Sequence, residues 1–164
     1  MTNQEERYLH FVQCIRNFNN SWIILQQLKE GKGNPSIINA AFQFALIEYS
    51  KPYKYSRGAL LSKKGKQKQY RLNSDYVPSM HRELHDRIID ARDQIYAHSD
   101  LSVLEAKVYV KKTPYGKIAG HVQNQIYGTE EFLNINAIIE LVESTLDLMY
   151  EKEKILESEL PVTT

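Results

Sequence analysis

The run EERYLHFVQCIRNFNNSWIILQQLKE, residues 5–30, decides the fold class. Its apolar residues Leu9, Phe11, Val12, Ile15, Phe18, Trp22, Ile23, Leu25 and Leu28 recur at steps of three and four, the period of one helical face. Gly31-Lys32-Gly33 ends this helix. Asn34 then supplies an N-cap and Pro35 a first helical residue whose missing N–H costs nothing there. A second helix follows through Ile37, Ile38, Ala41, Phe42, Ala45 and Leu46 and closes near Tyr49, ahead of Pro52. Pro78 opens a third, in which Leu84, Ile88, Ala91 and Ile95 keep to one face. A fourth begins at about Thr129 or Asn134 and is carried by Ile135, Ile138, Ile139, Val142, Leu146, Met149 and Tyr150.

Two stretches break the helical period. Between Ser50 and Tyr76 it is lost, and Lys63, Lys64, Lys66, Lys68 and Arg71 accumulate around Gly65 with no acidic residue among them, which predicts a basic loop. At about residues 104–126 the pattern becomes alternation, with Ala106, Val108 and Val110 on one strand and Ile118, Gly120 and Val122 on another, joined by Thr113-Pro114-Tyr115-Gly116. The expected architecture is mainly α, a four- to five-helix up-and-down bundle with an inserted β-hairpin, forming a single domain over residues 1–164.

Composition narrows the function classes. A chain of 164 residues with 42% hydrophobic content can bury a core without disulfides. Its one cysteine, Cys14, lies in an apolar stretch and reads as a small buried hydrophobe, which suits a reducing, cytoplasmic setting. Residues Met1 to Arg7 are polar and carry two glutamates, unlike a signal peptide. The longest apolar runs, Trp22–Leu25 and Ala40–Ile47, fall far short of the roughly 20 residues that cross a bilayer, so no membrane partner is expected. A net charge of +1 leaves nucleic-acid binding open, because a local patch can hold phosphates while the total stays near zero.

The chemically specific segment is Arg92-Asp93-Gln94-Ile95-Tyr96-Ala97-His98 at the end of the third helix. Six residues apart on a continuous helix, Arg92 and His98 would point about 120° away from each other. The long forked guanidinium and the helix end signalled by Ser99-Asp100 allow both to line one pocket. Upstream, His81, His85, Ile89, Arg92 and Tyr96 form a polar stripe beside the apolar one, which reads either as a groove or subunit contact or as a solvated helix edge.

With Arg92 and His98 separated by five residues and Asp93 directly after the arginine, the chain resembles the HEPN family, helical bundles bearing an Arg-x(4–6)-His motif. The resemblance covers roughly residues 5–50 and 78–157. It implies a metal-independent endoribonuclease without cofactor, working as a homodimer whose two motifs face each other, with roles as a toxin restrained by a cognate antitoxin or in phage defence. Such chemistry is coherent. Attack by the RNA 2′-OH needs one group to take its proton, another to protonate the departing 5′-oxygen, and cations for the phosphorane. Two copies of His98 would serve as base and acid, two copies of Arg92 would hold the phosphate, Asp93 would orient Arg92 or His98, and Tyr96 would contact a base or ribose. Lys63, Lys64, Lys66 and Lys68 would attract the RNA backbone, with Tyr70 available for stacking.

Other sites lack support. His81 and His85 have helical zinc spacing, but Arg82 stands where a metalloprotease carries glutamate, and no metal is expected. Gly31 to Ser36 lacks the spacing of a phosphate loop. The competing reading is a non-catalytic HEPN-like module that binds a nucleotide or a partner, and a third is a scaffold. A ribonuclease predicts Arg92 and His98 in a cleft shared by two chains, a binding module predicts a pocket within one chain, and a scaffold predicts burial or separate solvation.

Overall fold

The computed structural model describes residues 1–62, 64–93, 107–122 and 130–161. Lys63, Tyr96 and His98 lie outside them. The described residues are mainly helical, with four α-helices and two antiparallel hairpins.

Helix α1 spans Asn3–Lys29 and starts earlier than the apolar period suggests, because Thr2 and Glu5 form a capping box. Thr2 Oγ1 accepts from the Glu5 N–H at 3.2 Å and Glu5 Oε2 from the Thr2 N–H at 2.6 Å. Gly31, at φ 66°, then takes the left-handed conformation that ends the helix cheaply. Helix α2, Pro35–Ser50, opens as expected, with Asn34 Oδ1 accepting from the Ser36 N–H at 2.9 Å. Helix α3, Arg82–Ala91, starts later than expected, because Pro78 leads into a separate 3-10 turn at Ser79–His81. Arg92 and Asp93 follow in a wider π-type turn, a local loosening often found at functional positions. Helix α4 is Ile135–Ser158.

The core lies where α1 packs along both α2 and α4. Phe18 and Leu25 from α1, Phe42 and Leu46 from α2, Ile88 from α3 and Ile138, Val142 and Met149 from α4 are fully buried. Each such side chain contributes about 1.5–3 kcal/mol of transfer free energy. Leu9 and Ile23 of the predicted apolar face are exposed instead. No helix among the described residues is long and apolar enough to cross a membrane.

The expected basic loop is in part a hairpin, β1 (Ser56–Leu61) with β2 (Gln67–Tyr70). Its alternation escapes a hydrophobic pattern because the inward residues of β2 are Lys68 and Tyr70. Their partners are on α1. Buried Glu6 accepts from the Leu60 N–H and the Tyr70 hydroxyl, both at 2.7 Å. Gly58 makes room for this clamp, since a Cβ there would stand 2.7 Å from Glu6 Oε1 and 2.8 Å from Tyr70 Cε2.

The second hairpin, β3 (Lys107–Thr113) with β4 (Gly116–Val122), falls inside the predicted stretch. Its register decides which faces the apolar residues take. Val108 and Val110 pair with His121 and Ala119, whereas Ile118 and Gly120 pair with Lys111 and Tyr109. Directly paired residues share a face, so the two apolar sets lie on opposite sides of the ribbon and neither makes a core surface.

Candidate functional site

The described end of the motif sits on a cleft. The π-type turn after α3 carries Arg92 and Asp93 beside the segment that leads from α2 into β1. There Asp93 bridges two cations, with Oδ1 accepting from Arg92 Nη1 at 2.9 Å and Oδ2 from Lys54 Nζ. Burial works to raise the Asp93 carboxyl, but the bonds from Lys54 and Arg92 outweigh it and hold the group below the usual carboxylate range. Asp93 is therefore ionised at neutral pH and fixes the guanidinium. Arg92 Nε is buried without an acceptor among the described residues, and of the guanidinium's remaining donors Nη1 is held by Asp93.

Arg92 lines a cleft of about 400 Å³ together with His10, Cys14 and Asn17 of α1, Lys51, Lys54 and Tyr55. Lys51 is paired with buried Glu48. Among the described residues three cations and two carboxylates therefore meet around the cleft, one positive charge in excess. His10 is half-buried, stacks on Tyr70 at 5.2 Å between centroids, and has its pKa lowered by burial, which keeps the imidazole neutral and able to accept a proton. Cys14 is buried and its thiol is pushed up to about 12, so it stays protonated and offers no nucleophile. Tyr55 is exposed, with the Arg71 guanidinium 5.0 Å from its ring centroid.

His10 and Lys54 were not among the residues the sequence singled out. The available signal was His10 and Asn17, seven residues apart on α1 and so on one face at the edge of the apolar stripe.

The structure separates the remaining predicted residues. Lys64 and Lys66 are exposed near the β1–β2 turn, and Lys68 reaches Asn3 at the start of α1. None of the three lines the Arg92 cleft. Tyr70 is not free for stacking, because its hydroxyl is held by Glu6 and its ring by His10. The polar stripe on α3 is corrected as well. His81 and His85 are buried, and His85 Nδ1 lies 2.8 Å from the Tyr49 hydroxyl with the Tyr53 ring at 4.5 Å. Burial holds His85 below its ordinary pKa, so it is a neutral core histidine rather than part of a groove or a solvated edge. Among the described residues no three His, Cys, Asp or Glu side chains are placed to hold a metal ion.

Fold and site together define a mainly helical protein with a small cationic cleft at the open end of α3. No family model matches the chain, and no curated protein or solved structure matches it.

Proposed function

We infer that this chain is a metal-independent endoribonuclease of the HEPN type, active as a homodimer. Its helices would form an up-and-down bundle, and Arg92 and His98 from two copies would meet on the scissile phosphate. The observation that carries the reading is the state of Arg92. Its guanidinium is oriented by Asp93 and borders a cleft wide enough for a phosphate. A pre-oriented fork of this kind stabilises a phosphorane without reorganising during the reaction. His98 would take the proton of the 2′-OH in one copy and protonate the leaving 5′-oxygen in the other. In a cell the activity would serve in the cytoplasm as a toxin with a cognate antitoxin or as a phage-defence effector.

One observation favours the second reading, a nucleotide-binding module. Arg92, Lys54, His10 and Tyr55 gather around a cleft within one chain, so phosphate and base could be held with no partner copy. The two readings separate in one experiment. Wild-type and His98→Ala protein are incubated with end-labelled RNA in EDTA while light scattering gives the mass. Cleavage to 2′,3′-cyclic phosphate ends by a dimer, lost in the variant, supports the ribonuclease. Intact RNA with both proteins, together with nucleotide binding by a monomer that Arg92→Ala abolishes, replaces it by the binding module.

A further inference from the structure

The β3–β4 hairpin takes no part in the cleft. Between Lys107 and Val122 it carries Lys107, Lys111, Lys112, Lys117 and His121 and no acidic residue. Val108, Tyr109, Val110 and Ile118 are each more than half exposed, so both faces of the ribbon meet solvent. A two-stranded hairpin without packing gains little stability from its own contacts. Its surface is available for something else.

The register makes one face distinctive. Lys107, Tyr109 and Lys111 follow one another on the same side of β3, and Tyr109 stands directly opposite Gly120. Glycine puts no side chain across the phenol ring, and nothing lies within 4 Å of where a Cβ at Gly120 would be. The face therefore presents an uncovered aromatic ring with a lysine roughly 7 Å along the strand on either side.

We propose that this face is a binding arm for single-stranded RNA, with Tyr109 stacking a base and Lys107 and Lys111 holding the phosphates that flank it. An open ring between cations matches what a single strand displays, a base plane between charged phosphates. An A-form duplex hides its base faces and is excluded from such a platform. A second copy of the chain is disfavoured because two apposed arms would bring lysines against lysines. An acidic protein would use the lysines but leave the bare ring opposite Gly120 without purpose. The arm rests on the proposed function in its choice of RNA, but not in its chemistry.

The test uses full-length protein in the His98→Ala background, so that no RNA is consumed, and a fluorescein-labelled oligouridylate in EDTA, with anisotropy followed across salt. Tyr109→Ala should weaken binding about tenfold. Replacing Lys107 and Lys111 together by glutamine should lower the slope of log K against log salt by about 1.4, whereas Val108→Thr on the opposite face should change neither quantity. Because Tyr109, Val108, Lys107 and Lys111 are exposed, far-UV circular dichroism of each variant should match the parent. The proposal is overturned if the oligonucleotide does not bind, if Tyr109→Ala binds as the parent does, or if the variants change the mass in light scattering while RNA affinity holds, which would assign the face to a second copy. Loss of binding in Tyr109→Ala alongside a wild type that cleaves no RNA would uphold the arm and remove the ribonuclease. Cleavage by wild type with unchanged Tyr109→Ala binding would do the reverse.

Discussion

The two hairpins use similar residues, lysines and tyrosines around a glycine-containing turn, and meet opposite fates. The β1–β2 hairpin is tied to α1 through buried Glu6, which takes a backbone N–H from one strand and a phenol hydroxyl from the other. Its lysines flank the turn or reach back to Asn3, and its first residues help to line the Arg92 cleft. Among the described residues the β3–β4 hairpin pairs only with itself, and both its faces are exposed. Similar composition thus gives scaffold in one place and free surface in the other. Contacts with α1 make the difference, the Glu6 carboxylate foremost, because they supply the tertiary partner that an isolated hairpin lacks.

The largest expected contrast is between two glycines. Gly58→Val would press on the Glu6 carboxylate and the Tyr70 ring, and relief by moving them breaks the hydrogen bonds of the clamp. A loss of about 1–3 kcal/mol, or roughly 3–9 °C in the thermal midpoint, is expected. Gly120→Val meets nothing within 4 Å and should cost less than about 0.5 kcal/mol. Equal losses at both sites would remove the distinction between the hairpins.

Acid should separate them next. The Leu60 N–H bond holds the Glu6 carboxyl below its usual range, against the opposing effect of burial and with help from Tyr70. A depressed folded-state pKa means that the clamp's contribution is complete above the unfolded value of about 4.3 and is lost as pH falls through the folded value. Hydrogen exchange of the Leu60 amide should therefore accelerate, relative to its intrinsic rate, below about pH 4, and Glu6→Gln should abolish that step. The β3–β4 amides, with no carboxylate in their hairpin, should show no such transition.

A smaller effect links the clamped region to the cleft. Lys54 lies just ahead of β1 and donates to Asp93, so Lys54→Ala should raise the Asp93 pKa toward its ordinary value in a carboxyl-carbon NMR titration. Tyr109→Ala should leave that titration unmoved. Smallest of all, Val108→Thr should change the thermal midpoint by less than the roughly 2 °C that corresponds to 0.5 kcal/mol.

Much of the helical fold was legible. The three- and four-residue periods place α1, α2 and α4, and Asn34-Pro35 marks the start of α2 to the residue. What escaped depends on distant partners. β1–β2 is a strand pair whose inward side chains are lysine and tyrosine, recognisable only once Glu6 is known to face them. His81 and His85 looked too polar for a core, yet His85 has the Tyr49 hydroxyl beside its ring nitrogen. At the site, the local pattern gave Arg92 and Asp93. His10 and Lys54 reach the same cleft from α1 and from the segment after α2, a convergence that packing creates and no sequence spacing encodes.

The most direct test of the central claim is the rate at which Arg92→Ala cleaves end-labelled RNA in EDTA, measured beside wild type at equal protein concentration. If Arg92 stabilises the phosphorane, the variant should be slower by about 100-fold or more while its circular dichroism and mass stay unchanged. Cleavage by Arg92→Ala at the wild-type rate would contradict the account and place the chemistry elsewhere in the molecule.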